Sequence, residues 1–124
     1  MKNKNILILI TVVITLCYFS VLWADDTKPR EFEAVAGDRV VYLYWSPPKS
    51  QVKGYWVYRA LPKGSYQRVN SAPVERPFYE DRNVINGQFY WYMLTAIDPE
   101  GNEGTPTKTI GVIPNSRTKP SSGY

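Results

Sequence analysis

Between residues 31 and 114 the apolar residues come in short alternating runs, and no stretch sustains the 3.6-residue period of an amphipathic helix. In an extended strand successive side chains point to opposite faces, so alternation identifies the buried side. On this basis Phe32 and Ala34 face inward, then Val41, Leu43 and Trp45, then Tyr55 and Val57, then Val69, then Tyr79. A longer run turns Tyr90, Tyr92, Leu94 and Ala96 inward, and a last one Ile110 and Val112. These runs predict seven strands. Their breaks fall at Gly37-Asp38, Ser46-Pro47-Pro48-Lys49, Pro62-Lys63-Gly64, Ser71-Ala72-Pro73, Asn86-Gly87 and Pro99-Glu100-Gly101-Asn102. Each break has turn chemistry, and no proline interrupts a strand where it would remove a ladder donor. The pattern predicts one all-β domain, a seven-stranded antiparallel β-sandwich over residues 31–114.

The chain begins differently. Lys2 and Lys4 precede a run, residues 6–23, that is nearly all apolar, and Ala24 is followed by Asp25 and Asp26. Basic, apolar and small residues in that order make residues 1–24 a signal peptide, an N-terminal hydrophobic export helix. The apolar part is longer than the ~7–15 residues of a signal core and close to the ~20 of a membrane span, so an uncleaved signal anchor through residues 6–23 stands beside cleavage after Ala24. Either way the two lysines stay on the cytoplasmic side and the body is delivered outside, as a secreted, periplasmic or membrane-tethered domain. Cys17 follows Leu16, where a lipoprotein box needs a small residue; the thiol reads as a small hydrophobe in an apolar helix. Residues 25–30 form a polar linker, and residues 115–124, rich in Ser, Pro and Lys, a disordered tail.

Composition narrows the function. The 124 residues contain 15 basic and 11 acidic side chains, and two of the basic ones precede the apolar run. The remaining charge is mild and scattered, without the stripe that releases counterions from nucleic acid. Histidine is absent and the single cysteine lies outside the body. Imidazole bases, thiol nucleophiles and the usual zinc ligands are therefore missing, and no enzymatic activity, cofactor or metal is expected.

Three segments resemble the fibronectin type III family. Val41-Tyr42-Leu43-Tyr44-Trp45-Ser46-Pro47-Pro48 is similar to its second strand, and Val52-Lys53-Gly54-Tyr55-Trp56-Val57-Tyr58-Arg59 to its third. Phe89-Tyr90-Trp91-Tyr92-Met93-Leu94-Thr95-Ala96-Ile97-Asp98, with Gly101-Asn102-Glu103, is similar to its sixth strand and following loop, especially in bacterial members. The resemblance covers residues 29–114. It implies an immunoglobulin-like sandwich with strands one, two and five facing three, four, six and seven. It also implies that Trp45 fills the centre and that Tyr90 forms the tyrosine corner, bonding backbone, with Val84 in place of the usual leucine. The integrin tripeptide of some members is absent; Gly37-Asp38-Arg39 has another order in another loop.

The outward positions of the third and sixth strands hold the candidate binding face: Trp56 and Tyr58 on one, Trp91 and Met93 on the other, with Phe89 near the end. Strand propensity and cross-strand pairing, about 0.2–1 kcal/mol per pair, account for such residues without any ligand. Side by side, though, they expose on the order of 400 Å², more contiguous apolar surface than isolated monomers usually leave unused. A protein partner is the first expectation, held by this face or by strand addition at an edge. The alternative is a carbohydrate-associated module at the cell surface that uses Trp56 and Trp91 as stacking platforms. Tyr42 and Tyr44 face out of the opposite sheet beside Glu33 and Glu80, as a solvated tyrosine face. The run from Asp98 to Glu103 superficially resembles a calcium loop, but its glycine and the missing later glutamate make it a tight turn. Glu80 and Asp81 are adjacent and so point to opposite faces, unable to flank one substrate as an acid and base. Ser46, Ser65 and Ser71 lack a histidine to activate them.

Overall fold

A computed structural model describes residues 26–116. The export segment, Cys17 and the tail beyond residue 116 lie outside the described residues. Seven strands follow one another: β1 Arg30–Gly37, β2 Val40–Ser46, β3 Gly54–Ala60, β4 Gln67–Arg68, β5 Phe78–Asp81, β6 Tyr90–Ile97 and β7 Ile110–Val112. They form two antiparallel sheets, in the orders β1-β2-β5 and β4-β3-β6-β7, the partition implied by the resemblance. No helix among the described residues is long and apolar enough to cross a membrane.

Alternation places the core. Val41, Leu43, Trp45, Tyr55, Val57, Tyr90, Tyr92, Leu94, Ala96 and Val112 pack in one buried cluster between the sheets. Trp45 meets Tyr55 edge to face, with ring centroids 5.0 Å apart and planes at 69°. Among the described residues its indole N–H meets no acceptor at full hydrogen-bond geometry, and the Tyr55 hydroxyl is the polar group beside it. Val84 is also buried, and Val52 and Val74 pack against the cluster from outside the strands. Isolated apolar residues of this kind carry no period for a strand reading to find.

Side chains extend the ladders where the strands stop. After two residues of β4 the Asn70 carboxamide takes over: its Oδ1 accepts from the Val57 amide at 2.8 Å, and its Nδ2 donates to the Tyr55 and Ala72 carbonyls at 3.0 and 2.8 Å. On the far side of the sheet the Thr107 hydroxyl accepts from the Leu94 amide at 3.1 Å, while the Thr107 amide donates to the Leu94 carbonyl at 2.9 Å. Buried backbone groups must find partners, and these two polar residues supply them. The Tyr90 hydroxyl accepts from the Ile85 amide at 3.0 Å and pins the chain entering β6.

One charge sits deep between the layers. Asp81, 2% exposed, accepts from Arg59 Nη1 and the Tyr92 hydroxyl, both at 2.7 Å, and from the Asn83 amide at 3.1 Å. Arg59 Nη1 also donates to the Asn83 carbonyl at 3.0 Å, and the guanidinium lies 5.4 Å from the Tyr90 ring centroid. Burial, reinforced by the hydrogen bond to Asp81 and its negative charge, pushes the Tyr92 hydroxyl far above its ordinary pKa and fixes it as a donor. The network joins β3 and β6 of one sheet to β5 of the other.

Without Asp81 the Tyr92 hydroxyl loses its acceptor and Arg59 keeps only the Asn83 carbonyl of the bonds above; without the Tyr92 hydroxyl Asp81 keeps Arg59 and the Asn83 amide. Asp81→Ala is expected to cost about 3–5 kcal/mol, the usual penalty for breaking a buried pair. Tyr92→Phe, which deletes one hydrogen bond to a charged group, is expected to cost about 1.5–3 kcal/mol. Urea denaturation of the full chain checks both, with the exposed Glu75→Ala as the near-neutral reference.

Candidate functional site

The outer face of the four-stranded sheet gathers Trp56, Tyr58, Trp91 and Met93, as the strand reading places them. Register fixes their neighbours: Trp56 lies opposite Thr95, Tyr58 opposite Met93, and Ala60 opposite Trp91. On the outer flanks Tyr58 pairs with Arg68 and Trp91 with Gly111. All four are half-buried, less open than the sequence pattern implies, because two further contacts cover them.

At one end the cover is polar. The Arg68 guanidinium carbon sits 3.6 Å from the centroid of the Trp56 ring, a stacked cation–π contact. Arg68 Nη2 reaches the Tyr58 hydroxyl at 3.5 Å. Glu103, an exposed residue of the loop after β6, folds back so that its Oε1 accepts from the Thr95 hydroxyl at 2.6 Å and from the Tyr58 hydroxyl. Partial burial pushes the Glu103 carboxyl up, but the bonds from Thr95 and Tyr58 and the nearby Arg68 charge outweigh it and hold the carboxyl below its ordinary value.

At the other end the cover is thin. Phe89 and Trp91 meet edge to face, with centroids 4.9 Å apart and planes at 77°. Small neighbours flank Trp91, Ala60 on β3 and Gly111 on β7. A β-carbon on Gly111 would stand 2.3 Å from Phe89 Cζ, so the glycine is what lets the ring lie down there. Trp56 and Trp91 are four residues apart in register, about 13 Å at ~3.3 Å per residue, too far for one sugar ring to touch both.

Sequence reasoning missed how two residues finish this face. Glu103 reads as a turn residue, and the turn does exist: the Asn102 amide donates to Asp98 Oδ1 at 2.8 Å, the Gly101 amide to the Asp98 carbonyl at 3.0 Å, and Gly101 has φ +90°. The backbone bond closing that loop, from the Asp98 amide to the Asn102 carbonyl at 2.9 Å, returns the chain so that Glu103 bridges to Ile97. Arg68 reads only as a flanking polar residue. No sequence spacing announces either contact, because both span distant segments.

On the opposite sheet Tyr42 pairs with Glu80 and Tyr44 with Glu33, while Tyr44 packs against Phe78 at 5.1 Å. Glu80 bonds Arg82 on the surface while Asp81 turns inward, so the two acids do not share a site. Among the described residues no cluster of three or more acidic, Cys or His side chains is placed to hold a metal ion.

No protein-family model matches the chain. It is 33% identical over 84 residues, 68% of its length, to an amylopullulanase of Thermoanaerobacter thermohydrosulfuricus. The match spans only 6% of that enzyme. Among solved structures the fold is similar to a Fn3-like protein from Clostridium thermocellum, with a TM-score of 0.60, 22% identity, and coverage of 67% of this chain and 86% of that one. It is also similar to part of a β-1,2-glucanase from Parabacteroides distasonis, with a TM-score of 0.63, 25% identity, and coverage of 74% of this chain and 13% of that one. The fold is therefore fibronectin type III-like.

Gly111→Ala should drive Phe89 off Trp91, seen as a shift of the Trp91 indole N–H resonance with the core tyrosine signals unmoved. Because the Glu103 carboxyl is held below its unfolded value, its contribution is present above about pH 4.3 and lost as pH falls through the folded value. The stability gap between wild type and Glu103→Gln should accordingly shrink between pH 6 and pH 3 in equilibrium denaturation.

Proposed function

We propose that this chain is a non-catalytic accessory module that works beside a carbohydrate-active enzyme and makes a protein contact through the outer face of its four-stranded sheet. The observation that carries this reading is the uneven cover of that face. Phe89, Trp91 and Met93 form an apolar centre with small flanking residues, while Arg68, Tyr58, Thr95 and Glu103 form a polar border. Protein interfaces bury an aromatic centre and leave a hydrogen-bonding rim. The likeness to a segment of an amylopullulanase supports the class of the partner.

The inventory favours binding over chemistry. Asp81 is spent on Arg59 and Tyr92, and Glu103 on Thr95 and Tyr58, so neither carboxylate is placed to transfer a proton to a substrate. The proposal puts the body outside the cytoplasm, delivered by residues 1–24, and keeps both cleavage after Ala24 and an anchor through residues 6–23.

A second reading, direct contact with glycan, draws on Glu103: a carboxylate beside the Tyr58 and Trp56 rings is the kind of acceptor that sugar hydroxyls use. Against it, Arg68 already covers one face of Trp56.

The chain has two methionines, Met1 and Met93, so photo-methionine places a cross-linker in the middle of the face. Irradiation in the native host should join Met93 to a carbohydrate-active enzyme. Trp91→Ala should lower the yield at least about tenfold, as expected for a central aromatic anchor, with little change in melting temperature. No cross-link to protein, together with retardation of the wild type in pullulan-containing gels that Trp56→Ala abolishes, would replace this reading with the glycan one.

A further inference from the structure

The sandwich is closed along one side and open along the other. On the closed side the Asn115 amide donates to the Gly37 carbonyl at 3.0 Å and the Gly87 amide to the Pro114 carbonyl at 2.9 Å, tying the chain after β7 to the turn after β1 and to the loop before β6. On the open side β5 is the last strand of its sheet and the two-residue β4 the last of the other. Between them runs a groove of about 1200 Å³ lined by residues of β4, β5 and the loops beside them.

One wall of the groove is an unused strand edge. The Trp45 amide donates to the Pro77 carbonyl at 3.3 Å, which sets the phase of the β2–β5 ladder. Hydrogen-bonded pairs then alternate, so the Leu43–Tyr79 and Val41–Asp81 pairs exchange bonds while the N–H and C=O of Phe78 and Glu80 point to the open edge. Among the described residues no hydrogen bond reaches those four groups.

At the bottom of the groove lies a half-buried guanidinium. The Arg59 side chain is 22% exposed, and its bonds to Asp81 and to the Asn83 carbonyl use only Nη1. The Nε–H and the Nη2 hydrogens make no hydrogen bond to a carboxylate or carbonyl among the described residues, and the Tyr92 hydroxyl lies against the same guanidinium. That pair of donors is the fork that receives a carboxylate through two parallel bonds. Arg82 stands on the groove wall as well, bonded to Glu80, while the Arg68 guanidinium lies over Trp56 on the outer face, so the choice of an anionic side chain rests on Arg59.

We propose that this groove receives an extended acidic peptide strand from a protein partner, which adds to the edge of β5 and places one carboxylate on the free fork of Arg59. The backbone of Phe78 and Glu80 supplies the strand pairing, and Arg59 supplies the choice of an acidic side chain at an inward position beside Asp81. A peptide repeats donors and acceptors at the spacing of the strand edge, which a sugar chain does not. The site is separate from the Trp91 face, so the two stand or fall independently.

The test uses the full chain, isotopically labelled, and a blocked peptide of alternating threonine and valine around a central aspartate. Titration should move the amide resonances of Phe78 and Glu80 and the Arg59 Nε–H, and leave the Trp91 indole in place. Replacing the peptide aspartate by asparagine, or Arg59→Lys in the chain, should weaken binding about tenfold, since each removes the bidentate pair. Glu80→Pro removes one edge donor and the surface bond to Arg82 but leaves the Arg59–Asp81 bond in place, and should weaken binding about tenfold while the Trp45 indole resonance keeps its wild-type position. If trigalacturonate moves the same resonances and the peptide does not, or if neither probe moves them, the proposal is overturned.

Discussion

The buried carboxylate of Asp81 is the constraint on which the rest of this sandwich turns. A charge at 2% exposure persists only with partners, and Arg59 and Tyr92 reach it from the other sheet. The two layers are thereby registered at the end where neither sheet has a long edge strand. Elsewhere apolar burial holds the layers together without specifying position; here a directional, desolvated contact does.

That contact has consequences outside the core. It fixes Arg59 at the bottom of the groove with one side of its fork unspent, and it turns Glu80 outward to Arg82. It also commits Asp81, since a buried carboxylate bonded to a guanidinium and a phenol acts as an anchor. The polar ladder extensions, Asn70 on one side and Thr107 on the other, act in the same spirit on the backbone. They let the edge strands be short while keeping buried amides paired.

The outer face of the larger sheet shows how little separates a stabilised surface from a binding one. Its aromatic residues share a face by strand alternation, yet Arg68 and Glu103 have closed half of it. What remains is a compact apolar area around Trp91, set by two small neighbours. The body is fibronectin type III-like and similar to a segment of an amylopullulanase, and such a fold by itself assigns no ligand.

The strands, their inward sides and their breaks were legible in the sequence because a period of two residues is a local property: Leu43, Val57, Tyr92 and Leu94 declare their burial through their neighbours in the chain. The absence of histidine and of a cysteine in the body is likewise complete without coordinates. What tertiary structure alone decided is pairing across distance. Arg59 and Asp81 lie 22 residues apart, and Tyr58 and Glu103 are 45 apart. Each is an ordinary polar residue in its own segment, and its partner is chosen by how two sheets stack and where a loop returns. Alternation fixes which way a side chain points; only the packed layers fix what it meets, and at this face and this groove that is the difference between a covered ring and an open one.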